Sequence, residues 1–159
     1  MNKTLDFNDF QKEIKKIKKK EAIIVLAGGC FDILHTGHIE FLKKAKSEGD
    51  ILIILLEGDS AVRKLKGKDR PVNSQENRAK ILSTVSFVDF IIPIPLLKTD
   101  EEYRLLVKKI EPDIIAVTKN DMLFSKKKDH AKAVGGKIIE VIKRQKKYST
   151  SSLVKQILR

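Results

Sequence analysis

From residue 20 onward the chain alternates short, almost wholly apolar runs with segments whose apolar positions recur at helical spacing. Ala22–Leu26 (AIIVL), Ile51–Leu56 (ILIILL), Val88–Ile92, Ile114–Val117 and Lys137–Ile142 are the apolar runs. Each is short and rich in β-branched residues, the pattern of strands buried on both faces. Between them, Gly37–Ser47 predicts a helix with Ile39, Leu42 and Ala45 facing inward and Gly49 as its stop. Asn73–Thr84 predicts another, with Asn73 and Glu76 at capping-box spacing. Thr99 and Glu102 repeat that signature and open a helix to Ile110, which Pro112 ends. A lysine-rich helix near Lys126–Val134 stops at Gly135-Gly136, and STSSLVKQIL (149–158) predicts the last helix.

Strand and helix in alternation, with continuous Val, Ile and Leu in the strands, predict an α/β fold. The expectation is a single Rossmann-like doubly wound domain over 21–159 with a five-stranded parallel sheet. Residues 1–20 predict an N-terminal amphipathic helical arm. In it Phe7, Phe10, Ile14 and Ile17 repeat at 3-4-3 spacing among lysines, a stripe that packs on the domain or on a second subunit.

A length of 159 residues fits one domain, and no apolar run approaches the ~20 residues of a membrane span. The first 20 residues have no apolar core of a secretory signal, and the single cysteine, Cys30, excludes an intrachain disulfide framework. The cytoplasm is the expected location. Thirty-three Lys and Arg against 21 Asp and Glu give +12. That raises nucleic acid as a partner, but no aromatics are interleaved with the lysine runs to stack on bases, so solvated helix faces are the preferred reading.

The chemistry concentrates in GGCFDILHTGH (28–38), which holds two of the three histidines and three of the eight glycines. Gly28 and Gly29 close the first strand and let a ligand approach the backbone. The next helix starts near Gly37, where free N–H groups and the helix dipole favour a phosphate. His35 and His38, three apart at that helix start, can face one anion. Imidazole donors there stabilise charge building on a phosphoryl group. Ligands of doubly wound sheets bind at the carboxyl ends of the strands, where this stretch falls.

G-x-F-D-x-x-H-x-G-H, matched by Gly29, Phe31, Asp32, His35, Gly37 and His38, resembles the signature of the cytidylyltransferase-like nucleotidyltransferases. LKGKDRPVNSQENRAKIL (65–82) and FVDFII (87–92) are similar to the adenylyltransferase domain of ADP-heptose synthases; glycerol-3-phosphate cytidylyltransferases and archaeal FAD synthetases stand a step further away. The resemblance implies transfer of a nucleoside monophosphate from a triphosphate to a phosphorylated small molecule, with release of pyrophosphate. Its best specific form is ATP with a heptose-type sugar 1-phosphate; the alternatives are CTP with glycerol 3-phosphate, or ATP with FMN. It implies Mg²⁺ riding on the triphosphate, with no metal held by the protein itself, and a homodimer.

The same resemblance assigns catalysis to His35, His38 and Lys66, the last in the KLKG loop. Nucleotide binding falls to Gly28, Gly29, Cys30, Phe31, Gly37, His38, Asp121, Arg144, Ser149, Thr150 and Ser151, and acceptor binding to Asp32 and Arg78. Asp89 matches a charged position of the family's central region. Three positions depart from the heptose relatives: Gly28-Gly29 replaces Asn-Gly, Lys119-Asn120-Asp121 replaces Gly-Gly-Asp, and Ser86 replaces an arginine. Two other classes compete with this reading. A zinc site of Cys30, Asp32, His35 and His38 fits no standard module spacing, and a non-catalytic basic module would bind nucleic acid through the lysines. His130, alone in a lysine-rich helix, reads as surface.

Overall fold

The computed structural model describes residues 3–143 and 152–153. Their elements run α1 (Phe7–Lys18), β1 (Ile24–Gly29), α2 (Thr36–Lys46), β2 (Ile51–Leu56), α3 (Asp59–Lys66), α4 (Gln75–Ser83), β3 (Phe90–Pro93), α5 (Asp100–Ile110), β4 (Ile114–Lys119), α6 (Phe124–Lys132) and β5 (Lys137–Lys143). The five strands are parallel in the order β3-β2-β1-β4-β5. The chain thus leaves β1 toward one edge, then returns to build the other half from β4. This is the topology expected of the sequence, and it puts the switch point between β1 and β4.

Alternate strand residues feed two cores. Val25, Ala27, Leu52, Ile54 and Leu56 pack with Phe41, Leu42 and Ala45 of α2 and Ala79 and Leu82 of α4. On the other face Ile24, Leu26, Ile53, Leu55 and Ile92 pack with Phe10, Ile14 and Ile17 of α1, Val107 and Ile110 of α5, and Ala131 of α6. The α1 stripe is therefore spent on the chain's own sheet: Phe10 is fully buried and edge-on to Phe90, with ring centroids 5.9 Å apart. It does not remain available as a subunit interface. No helix among the described residues is long and apolar enough to cross a membrane.

Several boundaries move, each for a local reason. Asp59–Lys66 folds as a helix that the hydrophobic pattern did not reveal, because only Ala61 and Val62 of it are buried. Lys66 therefore ends a helix rather than sitting in a loop, and Gly67 follows at φ 105°, ψ 169°, a conformation glycine alone adopts freely. Helix α4 is capped by Ser74, whose side chain accepts from the Asn77 N–H; Asn73 is drawn away to donate to the Asp32 carbonyl at 3.0 Å. The Thr99–Glu102 capping box forms as expected. Strand β3 starts two residues late because the Asp89 carboxylate accepts from the Leu52 N–H at 2.7 Å and from Lys46 at 2.6 Å. Asp89 thus ties β3 to β2 at the end of the sheet opposite the strands' carboxyl termini. His130 is not at the surface: it is 6% exposed, with Nε2 3.2 Å from Asp100, joining α6 to α5. Ala131 beside it is buried as well.

Candidate active site

Strand β1 pairs with β2 along its whole length but with β4 only at Val25–Ile114 and Leu26–Ile115. Beyond that pairing, at the carboxyl ends of the strands, lies a cleft of about 400 Å³. One wall is Gly28, Gly29, Cys30, Phe31, Asp32, His35, Gly37 and His38; the other comprises Ala116–Thr118, Asp121, Met122, Lys127, Ile142 and Lys143. Leu65, Lys66 and Arg70 complete the lining.

His35 is the N-cap residue of α2 and His38 lies in its first turn, its N–H donating to the His35 carbonyl at 2.9 Å, so both rings stand at the positive end of the helix. The rings stack with centroids 3.8 Å apart and planes 23° from parallel. Phe31 backs His38 at 5.3 Å between centroids. Burial pushes the His35 pKa down, and burial together with the neighbouring His35 pushes His38 down to about 4, the Ile33 backbone pulling weakly the other way. Both Nδ1 atoms are buried without a well-formed hydrogen bond among the described residues. Two neutral imidazoles pressed together at a helix N-terminus make a site that an anion improves on every count: it answers the dipole, and it favours the protonated rings.

Gly29 serves this arrangement in a way its position in the sequence did not indicate. A Cβ there would meet the Phe31 ring at 2.8 Å, whereas at Gly28 it would make only ordinary contacts from 3.8 Å. The second glycine makes room for Phe31, itself held at φ 44°, and Phe31 in turn supports His38.

Two residues expected to bind the acceptor are held by partners within the fold. Arg78 does not face the cleft: it is fully buried and donates to the carbonyls of Asn73, Cys30 and Glu57 at 3.0, 2.5 and 2.8 Å and to Asp59 at 2.7 Å. It braces the ends of β1 and β2 against α4, since a buried guanidinium must spend its N–H groups locally. Asp32 borders the cleft, but its carboxylate is occupied by Arg70 Nε at 2.5 Å and by the Val72 and Asn73 N–H groups at 2.9 Å. Those three donors hold it below the usual carboxylate range against the opposing effect of burial. It anchors the segment between α3 and α4 from the border of the cleft.

Cys30, Phe31, Gly37 and Lys66 line the cleft as expected, Lys66 from the exposed end of α3. Burial raises the Cys30 thiol pKa, so it lacks thiolate character. Asp121 also lines the cleft, its carboxylate accepting from Lys127 at 2.8 Å and from the Leu123 N–H at 2.8 Å. Arg144, Ser149, Thr150 and Ser151 lie outside the described residues. Among the described residues no three His, Cys, Asp or Glu side chains converge as metal ligands. The sequence reading missed Arg70, Leu65, Met122 and Lys127. Of these only Arg70 left a signal, as part of the LKGKDRPVNSQENRAKIL stretch that carries the family resemblance.

A family model described as Cytidylyltransferase-like matches residues 26–156. Among curated proteins, the bifunctional protein HldE of Campylobacter jejuni subsp. doylei is 39% identical over 160 residues, which cover 94% of this chain and 32% of that protein. HldE of Wolinella succinogenes is 45% identical over 112 residues, covering 70% of this chain and 23% of that protein. The chain thus spans a third or less of the length of these relatives. Among solved structures, the lipopolysaccharide core biosynthesis protein from Thermoplasma volcanium aligns with a TM-score of 0.62 at 27% identity, over 78% of this chain and 97% of that one. Pantoate-β-alanine ligase from Francisella tularensis shares the fold, with a TM-score of 0.64 at 20% identity over 93% of this chain and 70% of that one.

Proposed function

We propose, because this chain belongs to the cytidylyltransferase-like family and is a nucleotidyltransferase, that it transfers AMP from ATP to a heptose-type sugar 1-phosphate. The observation that carries the reading is the stacked His35–His38 pair at the start of α2, inside the span the family model matches. The substrates rest on the likeness to the HldE proteins and on the resemblance to ADP-heptose synthases.

An oxygen of the acceptor phosphate attacks the α-phosphorus in line. The bond from that phosphorus to the bridging oxygen breaks, and pyrophosphate leaves with the electron pair. No covalent enzyme intermediate is needed, so positioning and charge stabilisation supply the acceleration. The two imidazoles and the first-turn N–H groups of α2 hold the phosphates and meet the charge that develops on the α-phosphoryl oxygens. Lys66 adds a mobile positive charge from the end of α3. The donor set around the cleft fits Mg²⁺ carried by the triphosphate rather than a cage of carboxylates: the Asp32 carboxylate is already filled by three donors. When bound there, the ion would neutralise phosphate charge.

The test is pyrophosphate release with ATP, CTP, GTP and UTP, each against heptose 1-phosphate, other sugar 1-phosphates, glycerol 3-phosphate, FMN and phosphopantetheine. ATP with heptose 1-phosphate is the pair expected to turn over. Turnover with CTP and glycerol 3-phosphate, or with ATP and FMN, would replace the substrates and keep the reaction. Nucleotide-independent silence together with salt-sensitive oligonucleotide binding would replace the enzyme by a nucleic-acid module.

A further inference from the structure

Arg70 lies between α3 and α4 on the border of the cleft, and its side chain is 12% exposed. Its Nε donates to Asp32 Oδ2 at 2.5 Å. A guanidinium carries five N–H donors in a planar fork, and this bond uses one. Among the described residues nothing accepts from Nη1 or Nη2, although neither is sealed from solvent. Asp32 cannot turn to take them, because its oxygens also hold the Val72 and Asn73 N–H groups. The result is a nearly buried cation, fixed at its base, with an open pair of donors at the cleft that also holds His35, His38 and Lys66. Such a donor set is free to take an anion that enters the cleft.

We propose that Arg70 is a substrate-binding residue that grips two oxygens of one phosphoryl group through Nη1 and Nη2, with Asp32 as the residue that aims it. The inference rests on the nucleotidyl-transfer reading above and extends it to a residue that reading does not use. Arginine suits the role where lysine does not, since only the fork matches two phosphate oxygens at once. The phosphoryl group has two possible sources, the pyrophosphate end of the nucleotide and the monoester of the acceptor, and the fork fits either.

The experiment is calorimetric titration of the full chain and of R70K and R70Q with two probes. Inorganic pyrophosphate reads the nucleotide source. Inorganic phosphate, added to protein saturated with a non-hydrolysable ATP analogue, reads the acceptor source. At least one probe is expected to bind about 10-fold or more weaker to both variants. The probe affected identifies the phosphoryl group. R70K keeps a cation beside Asp32, so it carries the test should R70Q melt early. Binding of a probe by the wild-type chain that both variants match within twofold overturns the role of Arg70 and leaves nucleotidyl transfer standing. A wild-type chain that binds neither probe and releases no pyrophosphate removes nucleotidyl transfer itself, and Arg70's role with it.

Discussion

The imidazoles of His35 and His38 lie face to face at 3.8 Å; burial makes both harder to protonate, and His35 adds to the effect on His38. Their folded pKa values fall below the unfolded value of 6.5, to about 4 for His38. As pH drops, the unfolded chain therefore takes up protons first. Stability is full above about pH 6.5 and is lost progressively toward pH 4, by at most roughly 3 kcal/mol from His38. Urea midpoints measured between pH 7 and pH 4.5 should fall more steeply for the wild type than for His38→Gln. Parallel slopes would separate the pair from the acid sensitivity of the fold.

An anion reverses that balance. Pyrophosphate bound at the pair favours the protonated rings, so binding near pH 5.5 should take up protons from solution. Calorimetric titrations in two buffers of different ionisation enthalpy measure the uptake directly. Because pyrophosphate carries labile protons of its own at this pH, the comparison is with His38→Gln: equal proton uptake by the two chains would mean that His38 does not meet the phosphates.

Turnover should depend on His38 far more than folding does. His38→Ala removes one donor aimed at developing phosphoryl charge, a loss of about 3 kcal/mol in transition-state stabilisation, or about 10²-fold in kcat. Stability from urea unfolding at pH 7 should fall by only about 1 kcal/mol, the stacking lost against Phe31 and His35, while the fold is kept. Unchanged kcat in a folded His38→Ala chain would dismiss the phosphate role of the pair.

The sheet, its parallel order and the place of the cleft were legible because each strand is an apolar run and the glycine–histidine stretch follows the first of them. The two histidines were legible for the same reason: their spacing from a helix start is a local fact. Arg78 was not, because a charged residue in a helix pattern reads as surface or ligand contact, and only the fold brings the carbonyls of Cys30, Glu57 and Asn73 around it. The burial of His130 was hidden likewise: its lysine neighbours are exposed, while the Asp100 that it meets comes from another helix. Helix α3 escaped notice because a short helix that buries only two small side chains leaves almost no periodicity.

Arg78 should accordingly behave as a core residue. Arg78→Met keeps volume but strands three buried carbonyls and leaves Asp59 without its cation, at a cost of about 3 kcal/mol or more. Denaturant unfolding at pH 7 reads this as a lowered midpoint. A stable Arg78→Met chain with weakened acceptor affinity would restore the direct role that its burial denies it.

Gly136 leads into β5 at the end of the sheet away from the cleft. A Cβ at Gly136 would overlap the Pro112 carbonyl oxygen and stand 3.0 Å from that of Asp113. Both obstacles are backbone, and the Asp113 carbonyl already accepts from the Lys137 N–H at 2.9 Å, the bond that starts the β4–β5 pairing. Neither can yield without moving that register. Gly136→Ala should therefore destabilise by about 2 kcal/mol or more, as strain and overpacking at a fixed backbone do. Gly135 differs: it stands at φ 76° with nothing within 4 Å of its added Cβ, so Gly135→Ala carries only the left-handed backbone penalty of about 1 kcal/mol. Urea unfolding of the two variants side by side compares a steric cost with a conformational one. Equal losses would mean that the Pro112–Asp113 turn gives way more easily than its hydrogen bonding implies.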